Sequence, residues 1–174
     1  MSGSRNNLDM TILMTPDMAN FSGNVHGGTI LKLLDQVAYA CASRYAGTYV
    51  VTISVDQVVF HEPIHVGELV TFHAGVNYTG RSSMEIGIRV DTEDIKTKKI
   101  RNTNRCYFTM VAVDENGVPV SVPPREIVTE DDRQRYEAAR QRRELRAEME
   151  KRNKAIKLQI DRPLSAADAP LDVS

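Results

Sequence analysis

Residues 29–45, TILKLLDQVAYACASRY, decide the fold. Ile30, Leu33, Leu34, Val37, Ala38 and Cys41 recur at helical spacing, while Ala40 and Ala42 keep the remaining faces small. The pattern predicts a helix, and a helix apolar on nearly all sides belongs inside a structure. Gly47 stands where such a helix would stop. Asp35 breaks the pattern. An unpaired carboxylate in an apolar interior costs several kcal/mol, so it must be hydrogen-bonded, neutralised or open to a cleft. Gly28, Leu31 and Asp35 are three and four residues apart and share one face. The carboxylate therefore lies on the face running back to the helix's N-terminal end. There Gly27 and Gly28, lacking side chains, leave backbone N–H groups open to a ligand, and such an end attracts developing negative charge. On the residues alone, Asp35 is either a catalytic group or an anchor for a neighbouring loop.

Outward from the helix the period changes. Val51, Ile53 and Val55 alternate with polar residues, as do Val70, Phe72, Ala74, Val76 and Tyr78. Met84, Ile86, Ile88 and Val90 alternate with Glu85, Gly87, Arg89 and Asp91, and Cys106, Phe108, Met110 and Ala112 alternate with Tyr107, Thr109, Val111 and Val113. Four strands with one buried face each are expected, separated by turns at residues 63–67, 80–82 and 94–99. A further strand is expected over residues 10–14, stopped by Pro16, and residues 17–28 read as loop. One apolar sheet face and one apolar helix are reconciled by curling the sheet around the helix, an α+β arrangement. Beyond the Asn116-Gly117 turn and the proline-rich residues 118–127, the chain is charged and free of proline and glycine from 129 to about 157. Thr129 and Asp132 form a capping box for a long surface helix. The division expected is a flexible N-terminus (1–8), the wrapped domain (9–125), a charged C-terminal helix (126–160) and a disordered tail (161–174).

The composition, 41% hydrophobic and 26% charged with net charge -1, argues for neither nucleic acid nor an anionic membrane as partner. No stretch approaches the roughly 18 apolar residues of a membrane span, and the first residues hold no apolar signal core. Cys41 and Cys106, far apart in apolar surroundings, read as buried reduced thiols, and a cytoplasmic location is expected. No nucleophile elbow, P-loop or dinucleotide fingerprint occurs, and no metal site is expected. Asn20 reads as turn chemistry. His26 could be a base, a ligand or a helix cap.

Three segments are familiar together: residues 20–28 (NFSGNVHGG) running on to 35–38 (DQVA), residues 60–67 (FHEPIHVG) and residues 77–85 (NYTGRSSME). In order and spacing, over roughly residues 10–125, they closely resemble the acyl-CoA thioesterase family of hotdog proteins. The resemblance implies hydrolysis of fatty acyl-CoA to a free fatty acid and coenzyme A, with no cofactor beyond the coenzyme A of substrate and product. It implies Asp35 as general base on water, or as nucleophile, and Asn20 as a catalytic asparagine from the opposite subunit of a hotdog dimer. The helix end at Gly27 and Gly28 would polarise the thioester, and His26 would line the substrate site with them. Arg81, Ser82 and Ser83 would contact the phosphates, with Arg89 a lesser candidate, and Phe60 and Pro63 would flank the pantetheine or acyl channel. Glu62 and His65 equally suit a strand end with a bend. Dimers joined edge to edge and assembled as trimers of dimers, a homohexamer, are implied as well. Two competing readings are a hotdog dehydratase using His26 with Asp35, and a non-catalytic acyl-CoA or nucleotide sensor.

Overall fold

The computed structural model describes residues 6–60 and 62–160, the side chains of 158–160 excepted. The expected disordered tail and the first five residues lie outside these. The described residues form two compact units, one up to Tyr136 and one from Glu137.

In the first unit, α1 (Gly27–Ala46) is the helix read from the sequence, and Gly47 closes it in the left-handed conformation at φ 71 with its N–H on the Ser43 carbonyl. Five strands surround it: β1 (Asn7–Leu13), β2 (Val50–Val55), β3 (Leu69–Thr79), β4 (Ser83–Glu93) and β5 (Ile100–Ala112). All neighbours are antiparallel, in the order β1-β3-β4-β5-β2. α1 touches every strand. Its buried side chains, Ile30, Leu33, Leu34, Val37, Ala38 and Cys41, pack against Phe72, Ile86, Ile88, Phe108 and Met110 of the inner sheet face. Each large apolar side chain enclosed this way contributes about 1.5–3 kcal/mol relative to exposure. This is the hotdog arrangement, reached as expected because neither surface can be buried without the other.

The differences from expectation have local causes. β1 begins at Asn7 rather than Met10, since pairing with β3 runs from Asn7↔Gly75 to Leu13↔Leu69. β5 begins at Ile100 because the Asp94 carboxylate accepts the Lys96 and Thr97 N–H groups at 2.8 and 3.2 Å, tightening the turn so that pairing resumes at Glu93↔Ile100. Two bulges overturn the simple alternation. In β2 the register steps from Thr52↔Met110 to Ser54↔Thr109, making Ile53 the extra residue. One inserted residue reverses the faces beyond it, and Ile53 is 60% exposed rather than part of a buried row with Val51 and Val55. In β3 the step lies between Val76↔Ile86 and Tyr78↔Glu85, with Asn77 inserted. Tyr78 therefore leaves the buried row, and its ring centroid lies 4.8 Å from that of Tyr136.

After β5 the chain turns at Asp114–Gly117 and returns past the sheet to α2 (Glu130–Ile160). The capping box forms as read: Thr129 Oγ1 accepts the Asp132 N–H, and Asp132 Oδ2 accepts the Thr129 N–H, both at 3.1 Å. Within the second unit Leu145, Met149 and Ile156 are all more than half exposed. Ion pairs at three- and four-residue spacing, such as Arg140–Glu144 and Arg152–Glu148, line this part of the helix.

Candidate active site

The loop before α1 is built around Asn20. Its Oδ1 accepts the Ser22 and Asn24 N–H groups at 2.9 and 3.2 Å, and its own N–H donates to the Asn24 carbonyl at 2.6 Å. Turn chemistry thus occupies the oxygen, while no acceptor among the described residues takes the amide protons. Asn24 Oδ1 meets His65 Nδ1 at 2.9 Å, and the Val25 N–H donates to the Ile64 carbonyl at 2.8 Å, which ties this loop to the segment before β3. That segment is clamped in turn: Arg101 donates to Glu62 and to the buried Glu68, each at 2.7 Å. Hydrogen bonding to Glu62, with further help from Glu68, raises the guanidinium pKa against the opposing cost of burial. Glu62 and His65 therefore serve the bend.

His26 is the helix cap. Its Nδ1 accepts the Gly28 N–H at 2.9 Å, and its carbonyl accepts the N–H groups of Thr29 and Ile30. This corrects the expectation of two free N–H groups at the helix start, because the imidazole consumes one. The Gly27 N–H alone of the pair has no acceptor among the described residues. A Cβ on Gly27 would lie 3.8 Å from the Phe60 ring, so that half-exposed aromatic stands directly against the helix start. With its lone pair committed to Gly28, His26 is poorly placed as the base a dehydratase would need.

Asp35 is not enclosed. Leu31 and Tyr39, about 40% exposed each, lie with it on an open face of α1 that also carries Lys32, Gln36 and Ala40, so about half of the helix surface is open, which corrects the expectation of a helix apolar on nearly all sides. Within that face lies the stripe the spacing indicated, running from Asp35 past Leu31 to Gly28. Thr52 Oγ1 donates to Asp35 Oδ1 at 2.7 Å. Nothing in the sequence reading singled out Thr52; the available signal was a hydroxyl at a strand position two residues from the buried Val50. The Ile53 bulge begins immediately after it, as bulges beside active sites often do.

Arg81, Ser82 and Ser83 form the β3–β4 turn, closed by the Gly80 N–H on the Ser83 carbonyl at 2.7 Å. Ser83 pairs with Val111, which pairs with Val51, so the turn lies two strands across from the Thr52 end of β2, about 10 Å away. The exposed Arg81 guanidinium has no partner among the described residues. Arg89 is elsewhere: six residues along β4, about 20 Å from Ser83, it sits in register between His73 and Arg105 and is paired with Asp91 at 2.9 Å. Among the described residues no group of three His, Cys, Asp or Glu is gathered to hold a metal. A surface cleft lined by Thr48, Tyr49, Val51 and the Asp114–Gly117 turn includes none of the candidate residues.

The antiparallel sheet wrapped around α1 defines a hotdog protein, and comparison with known proteins agrees. Residues 22–99 match the thioesterase superfamily. Protein VdlD of Helicobacter pylori is 52% identical over 145 residues, 83% of each chain. The crystal structure of an apo-hexameric acyl-CoA thioesterase superposes with a TM-score of 0.80 at 36% identity, covering 83% of this chain and 93% of that one. The acyl-CoA hydrolase of Staphylococcus aureus, solved with butyryl coenzyme A, coenzyme A and coenzyme A disulfide, gives a TM-score of 0.80 at 29% identity over 90% and 95% of the two chains. The chain belongs to the thioesterase superfamily of hotdog-fold proteins. The S. aureus enzyme has also been solved with an asparagine, an aspartate and a threonine each replaced by alanine; the aspartate follows the asparagine by 15 residues and the threonine follows the aspartate by 17. Asn20, Asp35 and Thr52 have the same spacing.

Proposed function

We propose that the chain hydrolyses fatty acyl-CoA, with Asp35 as general base on water, or as the attacking nucleophile, and the Gly27 N–H polarising the thioester carbonyl. The observation that carries this is an open carboxylate oriented by a hydroxyl at 2.7 Å on the same helix as a free N–H at its start. The leaving thiolate, with a pKa near 8–9, needs little protonation, so one carboxylate suffices. Asn20, whose amide protons are uncommitted, holds the water or the thioester. Arg81, Ser82 and Ser83 receive the phosphates of coenzyme A.

Helix geometry supports a site shared between two copies. Gly27 and Asp35 are eight residues apart, about 12 Å along the axis, too far for one water and one carbonyl to bridge. Two α1 helices related by a twofold axis through the Leu31 stripe would place Gly27 of one copy opposite Asp35 of the other. The half-exposed Leu31, Tyr39 and Ile53 and the β2 edge are then covered. Assembly of such dimers as a homohexamer is supported by the hexameric relative. Two unpaired, buried thiols suit a reducing cytoplasm, and no described helix is long and apolar enough to cross a membrane.

The test is thiol release from palmitoyl-CoA by the wild type, Asp35→Ala, Asn20→Ala, and the two variants co-expressed. Each single variant is expected to lose nearly all activity. Co-expression is expected to restore about a quarter of the wild-type rate, since half of the dimers then carry one intact site of two. No recovery in demonstrably mixed dimers would overturn the shared site, and an active Asp35→Ala would overturn the role of Asp35.

A further inference from the structure

We infer that Arg125 is a positioning residue for coenzyme A: it straps the chain leaving the hotdog onto the β3–β4 turn and holds that turn in its phosphate-receiving shape. This rests on the reading of Arg81–Ser83 as the phosphate contact. The turn is held from four directions within seven residues. Arg125 donates its backbone N–H to Thr79 Oγ1 at 2.8 Å and its Nε–H to the Val76 carbonyl at 2.9 Å. The Val122 N–H donates to the Arg81 carbonyl and the Ala112 N–H to the Ser82 carbonyl, both at 2.9 Å. The Val76 carbonyl sits at the bulge, where the inserted Asn77 interrupts the ladder and leaves backbone groups to be satisfied from outside it. Asn77 is fixed as well, donating to the buried Glu85 at 3.2 Å.

Arg125 is itself immobilised. Its side chain is 7% exposed, and its remaining donors go to the Glu126 carbonyl and to Asp132. Burial disfavours the Asp132 carboxylate, but hydrogen bonds from Thr129 and the Arg125 charge hold it below the usual carboxylate range. The same carboxylate caps α2. One buried cation thus joins the start of the C-terminal helix to the bulge and turn. A two-stranded connection between central strands needs no such lacing to stay paired. A turn that must present a guanidinium and two hydroxyls to a phosphate needs them held to within about 0.5 Å, and pre-ordering removes that entropy cost from binding. Arg81 is the cation of this turn left without a partner among the described residues.

The experiment compares palmitoyl-CoA with S-palmitoyl-pantetheine, which keeps the acyl thioester but lacks the phosphates and adenine. Arg125→Ala is expected to raise KM for palmitoyl-CoA about tenfold, and Thr79→Val, nearly isosteric and removing one acceptor, about threefold. In both variants kcat is expected to stay within about twofold and the pantetheine substrate to be turned over as by the wild type. Equal losses on both substrates, or an unchanged palmitoyl-CoA KM in Thr79→Val, overturn the inference even if Arg125→Ala fails to fold. Arg81→Ala, assayed alongside, separates the two layers. If it raises the palmitoyl-CoA KM while the strap variants do not, the strap falls and the phosphate reading survives. If the strap variants raise it and Arg81→Ala does not, Arg81 is not the contact and the strap stands.

Discussion

Replacing Thr52 by valine removes one hydroxyl and almost no volume, which makes it the sharpest probe of how Asp35 is held. The Thr52 Oγ1 to Asp35 Oδ1 distance of 2.7 Å is that of a short hydrogen bond to a carboxylate. Such bonds contribute about 1.5–3 kcal/mol. Both residues are exposed in the single chain, so water competes and the lower end applies, about 1.5 kcal/mol. That corresponds to about a tenfold loss in rate, since about 1.4 kcal/mol is tenfold. The hydroxyl touches the base and not the substrate, so the loss is expected in kcat, with KM little changed. Thr52→Ser keeps the donor and is expected to stay within about threefold of the wild type. The assay is steady-state thiol release from palmitoyl-CoA, with far-UV circular dichroism and elution volume as controls. A Thr52→Val enzyme within twofold of wild-type kcat would refute the orienting role. A serine variant as impaired as the valine one, although it keeps the hydroxyl, would show that the hydrogen bond alone does not account for the loss.

Leu31→Glu places a charge at the centre of the open α1 stripe; size-exclusion chromatography is expected to show a smaller assembly, and thiol release is expected to fall with it, whereas an active variant of unchanged size would contradict the twofold arrangement. Gly87→Ala would bring a Cβ within 2.4 Å of Asn77 Nδ2, and the forced shift is expected to lower the urea stability by about 1–3 kcal/mol, with no change counting against that contact. Burial pushes the Cys41 thiol up to about 11, against the opposing charge of Arg44, and the Cys106 thiol up to about 12, aided by Asp56. The folded chain therefore keeps protons that the unfolded chain gives up near pH 9, so stability falls as pH rises from about 9 towards those values, by about 1.4 kcal/mol per pH unit for each thiol. Urea midpoints between pH 8 and 10.5 are expected to fall less steeply in Cys106→Ala than in the wild type; equal slopes would show that Cys106 is not a source of the loss.

The architecture was legible because it follows from periodicity, which is local. A helix with a continuous apolar face and four alternating strands admit few packings, and Gly47, Thr129 and Asp132 punctuate them by chemistry any sequence exhibits. Bulges were not legible. Whether Ile53 belongs to the row of Val51 and Val55 depends on how β2 registers against β5, a relation between residues more than fifty apart in the chain. The same holds for Asn77 and Tyr78, whose faces are decided by β4. Alternation predicts a face only while the ladder is regular, and both failures fall where the candidate site and its turn are built.

The site divides along the same line. Asp35 declared itself by being a charge where the pattern called for an apolar residue, and the glycines by leaving a helix end bare. Their partners did not, because Thr52 and Arg125 are ordinary residues in ordinary segments until folding brings them to Asp35 and to the β3–β4 turn. With α1 wholly in the interior, the Asp35 carboxylate would have to be compensated inside one chain. An exposed stripe of leucine, aspartate and tyrosine changes that premise. The helix buries about half of its surface against its own sheet and leaves the other half open, with the acid on it. The distance along the helix from Asp35 to the free Gly27 N–H then becomes the informative quantity. At about 12 Å it cannot be closed within one helix, and the proposed twofold pairing would close it at both ends at once.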